Sequence, residues 1–172
     1  MKLFSMMKLI ISLFIFIASH TLYAQEVNLS KMDSVKRDEY LINKSKEVIM
    51  NFGFDYLSAC NSPEITGPFV FDEHDGFYRP EMKRNKGKKY YRVTYSYDHT
   101  KFFFSWDYAA YTLIWEKSGE PMAVGFGNGM GKHFLERPYG KWIEMGVKED
   151  DKIPYEEDKI LKQSYEKKHA GK

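Results

Sequence analysis

The sequence predicts an α+β domain in which a long N-terminal helix packs on an antiparallel β-meander of roughly four to five strands. Three observations predict it. Val35, Ile42, Ile49 and Tyr56 recur every seven residues, which keeps them on one face of a helix. From Tyr90 to Tyr97, Tyr91, Val93, Tyr95 and Tyr97 alternate with Tyr90, Arg92, Thr94 and Ser96, the period of a strand. Further alternating runs follow, separated by turn residues, as in a chain of hairpins.

The helix is expected from about Lys31 to Phe52. Ser30 would cap its first turn, with Asp33 three residues on. Leu41, Val48 and Phe52 widen the apolar stripe, and Lys36, Asp38, Lys44, Lys46 and Glu47 occupy the opposite face. Gly53 ends or kinks it, and the segment to Cys60 reads as a further turn. Residues 61–89 read as irregular, punctuated by Pro63, Gly67, Pro68, Gly76, Pro80 and Gly87, with a short strand at Phe69-Val70-Phe71.

Next comes the Tyr90–Tyr97 strand, then a turn at Asp98-His99-Thr100-Lys101. Phe102, Phe104, Trp106 and Tyr108 alternate with Phe103, Ser105 and Asp107, which predicts the second arm of a hairpin. Tyr111, Leu113 and Trp115 continue the alternation as the same bent strand or a second one, with a helix from Ser105 as the other reading. Met122, Val124 and Phe126 predict another strand, and Lys141–Val147 a last short one. From Lys148 the chain is charged and poor in apolar residues, the pattern of a frayed helix around 155–168 or of a disordered tail. The domain organisation is then 1–24, 25–147 and 148–172. The order of helix and meander resembles that of cystatin-like and NTF2-like folds, an analogy of architecture that carries no function.

Residues 1–24 read as a secretory signal peptide, which implies an exported protein, periplasmic or secreted. Lys2 and Lys8 precede an apolar run from Leu9 to Ala18, and Leu22-Tyr23-Ala24 offers a small residue at the cleavage point. The run is about half of the roughly 20 residues a membrane-spanning helix needs, so no membrane span is expected after cleavage. Taking the leader's two lysines from the 26 basic residues leaves 24, equal to the 24 acidic ones. A neutral chain argues against nucleic acid as a partner.

Motifs that would name a reaction fail on detail. Asp72-Glu73-His74-Asp75 is the one acidic cluster suited to a hard cation or to acid/base work. EF-hand spacing around Gly76 would put Phe71 and Met82 at ligand positions, so the plainer reading is a polar turn. Gly125, Gly127, Gly129 and Gly131 alternate, but Met130 breaks a dinucleotide fingerprint and Phe126 and His133 break a phosphate loop. No cofactor is expected. Alternate glycines instead either leave one strand face bare, so that another group approaches the backbone closely, or mark a flexible, turn-rich loop. Cys60 is the one cysteine and reads as a buried structural thiol.

The aromatic surplus, 17% of residues, is the remaining signal, because rings with polar handles form binding surfaces as well as cores. The candidate ligand site is Tyr97, Trp106, Tyr111 and Trp115 with Gly127 and Gly129. The candidate metal site is Asp72, Glu73, His74 and Asp75. Three functions are expected in this order: a non-enzymatic binding domain for a protein, peptide or small ligand; an immunity or inhibitor protein against a toxin or protease; and a metal-assisted hydrolase built on Asp72–Asp75.

Overall fold

A computed structural model of the chain describes residues 27–72 and 80–170. The expected leader, residues 1–24, lies outside them. The architecture is α+β: helix α1 (Ser34–Gly53) and a 3-10 extension (Phe54–Ala59) pack against a five-stranded antiparallel sheet. The strands are β1 (Pro63–Val70), β2 (Lys89–Tyr95), β3 (Ala110–Trp115), β4 (Pro121–Phe126) and β5 (Gly131–His133), and they pair in sequence order as a pure meander. Helix α2 (Pro80–Asn85) joins β1 to β2, while α3 (Tyr139–Met145) and α4 (Lys159–His169) follow β5.

The expected stripe is what α1 buries. Leu41, Val48, Ile49 and Phe52 are fully buried against Tyr91, Val93, Tyr95, Ala110, Ile114, Val124 and Phe126 of the sheet. Val35, in the first turn, is 73% exposed. Asp33, rather than Ser30, caps the helix: its carboxylate accepts from the Val35 amide at 3.0 Å. Ser30 belongs to a preceding 3-10 turn (Leu29–Lys31). A fully buried polar pair crosses this interface, Ser45 Oγ donating to Thr112 Oγ1 at 2.9 Å, and the Tyr95 hydroxyl donates across it to the Ile42 carbonyl.

Three strand assignments are corrected. The partner of β2 in its hairpin is β3, not 102–108, with Tyr95 opposite Ala110 and Tyr90 opposite Trp115. Residues 102–108 form a loop whose ends are tied elsewhere: the Trp106 amide donates to the Gly127 carbonyl and the Ala109 amide to the Tyr95 carbonyl. Lys141–Val147 is not a strand, since Tyr139–Met145 is helical. So short a pattern as Trp142, Ile143, Met145 and Val147 does not separate strand from helix, and the helix starts directly after Pro138. The short strand expected near residue 70 is longer and starts at Pro63, with a bulge between Thr66 and Phe69. Edge position permits its prolines, because an edge strand need not donate outward.

After α3 the chain returns across the core as a strap. The Ile153 amide donates to the Phe52 carbonyl at 2.6 Å, and the Tyr56 hydroxyl donates to the Pro154 carbonyl at 3.0 Å. Tyr155 then lies against the rings of Tyr56 and Phe104, at 5.0 and 5.7 Å between centroids. No helix among the described residues is long and apolar enough to cross a membrane.

Candidate aromatic groove on the open sheet face

Among the described residues, nothing covers one end of the sheet face that lies away from α1. Strand alternation sends Glu64 and Thr66 of β1, Tyr90, Arg92 and Thr94 of β2, and Tyr111, Leu113 and Trp115 of β3 to this face. The register aligns them in rows: Glu64 with Thr94 and Tyr111, Thr66 with Arg92 and Leu113, Phe69 with Tyr90 and Trp115. The loop before β3 rises beside them and supplies Asp107 and Tyr108. All of these except Trp115, with Ser62 and Ser96, line a concavity of about 720 Å³.

Its wall is a run of rings. Trp106 stacks on Tyr108 at 6.0 Å and 27°, and Tyr108 meets Tyr111 edge-on at 5.2 Å and 81°. The Arg92 guanidinium sits over the Tyr111 ring at 4.5 Å and lies 5.7 Å from the Tyr108 centroid. Arg92 Nε donates to Thr94 Oγ1 at 3.1 Å. Among the described residues no carboxylate pairs with this guanidinium. Burial first, then Tyr111 and Asp107, push the Tyr108 hydroxyl up to about 12 against the opposing effect of Arg92. Tyr108 is therefore a neutral hydrogen-bond donor at any physiological pH.

The glycines are explained by close approach. Gly125 lies opposite Tyr111 in the sheet, and a side chain there would collide with the Tyr111 ring. Gly127 lies under the Phe104 ring and the Tyr108 carbonyl. Gly129 is in the turn between β4 and β5 with φ 85°, a left-handed conformation that favours glycine, and it sits beneath Trp106 Nε1. The four glycines are therefore not one strand face: Gly125 and Gly131 pair across β4 and β5, while Gly127 and Gly129 belong to the connecting turn.

Of the residues singled out in sequence, Trp106, Tyr111, Gly127 and Gly129 come together at this end. Trp115 is on the same face but at the opposite end. There it packs with Phe71, Met122, Tyr90, Leu113 and Leu135 in a small second cluster. Tyr97 is on the other side, 6% exposed in the main core, with its hydroxyl donating to the Phe104 carbonyl. Asp72 is exposed just beyond β1, and Glu73, His74 and Asp75 lie outside the described residues. Among the described residues no three His, Cys, Asp or Glu side chains converge to hold a metal ion. His99 lies in the turn after β2, His133 ends β5 and His169 ends α4. Burial pushes the Cys60 thiol up to about 12, so it is not a thiolate nucleophile at neutral pH.

Arg92 and Tyr108 were not singled out in the sequence, yet they are central to the groove. A signal existed for Arg92. It is the cation on the outward side of a strand whose neighbours on that side are Tyr90 and Thr94. No protein-family model matches this chain, and no curated protein or solved structure matches it either.

Proposed function

We propose that this protein is an exported, non-enzymatic binding domain that takes a ligand on the open face of its sheet. The observation that supports this most is the groove of Arg92, Tyr108 and Tyr111. It pairs a guanidinium of unfilled hydrogen-bonding capacity with aromatic walls, in a volume within the usual range of small-ligand sites. Export rests on the basic, apolar and small-residue pattern of residues 1–24.

Two measurements test this. Purified protein lacking residues 1–24 is titrated with glycans, peptides and small carboxylates while tyrosine and tryptophan resonances are followed. Shifts confined to Tyr108, Tyr111 and Trp106, abolished in Tyr111→Ala, are expected. Shifts elsewhere, or turnover on a hydrolase substrate panel, would replace the reading. N-terminal sequencing of the protein recovered outside the cytoplasm is expected to begin at Gln25, and a chain retaining Met1 there would remove the export half.

A further inference from the structure

The groove holds one cation, two carboxylates and a set of hydroxyls, and this mixture restricts its ligand. The inference rests on the binding reading above and names the ligand class. Arg92 is the cation. Its planar group is held over Tyr111 and beside Tyr108, and its Nε is spent on Thr94. The terminal nitrogens have no acceptor among the described residues. A guanidinium fixed in this way loses little freedom when it grips a planar oxyanion through two parallel bonds.

Glu64 and Asp107 line the same concavity. A ligand with several negative charges would meet them as like charges, and a purely apolar ligand would leave both desolvated without partners. A ligand rich in hydroxyl groups satisfies them, because carboxylates accept strongly from hydroxyls. Thr66, Thr94 and the neutral Tyr108 hydroxyl add donors and acceptors for the same groups. Ring faces suit the apolar face of a sugar. We infer that the open-face groove binds an anionic saccharide, a hydroxyl-rich sugar carrying a carboxylate that pairs with Arg92.

Calorimetry on the chain lacking residues 1–24 tests this with three probes: galacturonate, which carries one carboxylate, the neutral galactose, and the dipeptide Glu-Glu. Galacturonate is expected to bind at least about tenfold more tightly than either other probe, the weight of one charge-assisted bidentate contact. Arg92→Ala is expected to erase that preference, and Arg92→Lys to restore only part of it, since lysine keeps the charge but not the fork. Thermal melts of both variants report whether they fold. If Arg92→Ala does not fold, the comparison of the three probes on the unaltered protein decides alone. Equal binding of galacturonate and galactose, tighter binding of Glu-Glu, or no binding of any probe would overturn the inference. Failure of the binding reading itself looks different: no ligand of any class then perturbs Tyr108 or Tyr111.

Discussion

The two faces of the sheet are built from the same strands and are similarly rich in aromatic side chains, yet only one is a core. On the side of α1, Tyr91, Val93, Tyr95, Ala110 and Ile114 are all buried. One residue along, Tyr90, Arg92, Thr94, Tyr111, Leu113 and Trp115 are only partly covered. Composition does not separate the faces; the presence of a covering layer does. The covered face answers to packing volume, because dense interiors neither collapse nor expand freely. The open face answers to the placement of a few polar groups. Substitutions should therefore cost stability on one side and recognition on the other.

The largest effect is expected from Phe52→Ala. Phe52 is fully buried among Phe134, Tyr139 and Trp142, and its truncation should cost about 3–5 kcal/mol in denaturant unfolding. A matched pair of glycines sharpens the contrast. At Gly53 an added methyl overlaps the Phe126 ring in the core, so Gly53→Ala should cost about 1–3 kcal/mol. Thr112→Val takes one partner from the buried Ser45 hydroxyl, which keeps Tyr95 as another, and should cost about 1 kcal/mol, whereas the double change Ser45→Ala with Thr112→Val should come back toward neutral. The smallest stability change belongs to the second glycine. At Gly125 the added methyl meets the movable end of Tyr111 on the open face. Gly125→Ala should then shift the melt by less than about 1 kcal/mol while displacing the groove's aromatic wall. Equal losses at Gly53 and Gly125 would break the comparison.

Alkaline titration probes both faces at once. Burial is the first cause that pushes Tyr56, on the covered side, and Tyr108, on the open side, up to about 12. A raised value in the folded state means the fold favours the neutral phenol. That stability is complete below about pH 10, the ordinary tyrosine value, and is lost as pH rises through about 12. Phenolate absorbance of the native protein is expected to lag that of the unfolded chain across this interval. Tyr108→Phe should shorten the lag and leave the melt at neutral pH nearly unchanged.

The α+β order was legible in the sequence because α1 and β2 show clean periods, and Leu41, Val48, Ile49 and Phe52 bury as the stripe requires. The aromatic alternation at 102–108 misled because a loop packed on two sides alternates like a strand. Phe103 faces Tyr165 of α4 at 5.2 Å while Phe104 enters the core beside Tyr56 at 5.5 Å. The groove was less legible still. Arg92, Tyr108 and Glu64 meet only through the β1–β2–β3 register and the loop before β3, and no local pattern announces a neighbour fixed by pairing. Trp106 and Tyr111 were visible as surplus rings, but whether a ring lines a groove or fills a core depends on what covers it. Tyr97, an equally plausible ring, is in the core.

The strap described above also sets the order in which the molecule is completed. The meander joins each strand to the next in sequence, so it assembles from local pairings. The strap is different: the bond from the Tyr56 hydroxyl to the Pro154 carbonyl spans 98 positions. A chain emerging from the ribosome can zip its sheet long before it can shelter Tyr56 and Phe104. A product terminated before Ile153 would carry a nearly finished sheet and an open seam of aromatic rings, the kind of surface that invites aggregation and proteolytic triage. The strap thus closes a seam that the strand pairings alone leave open.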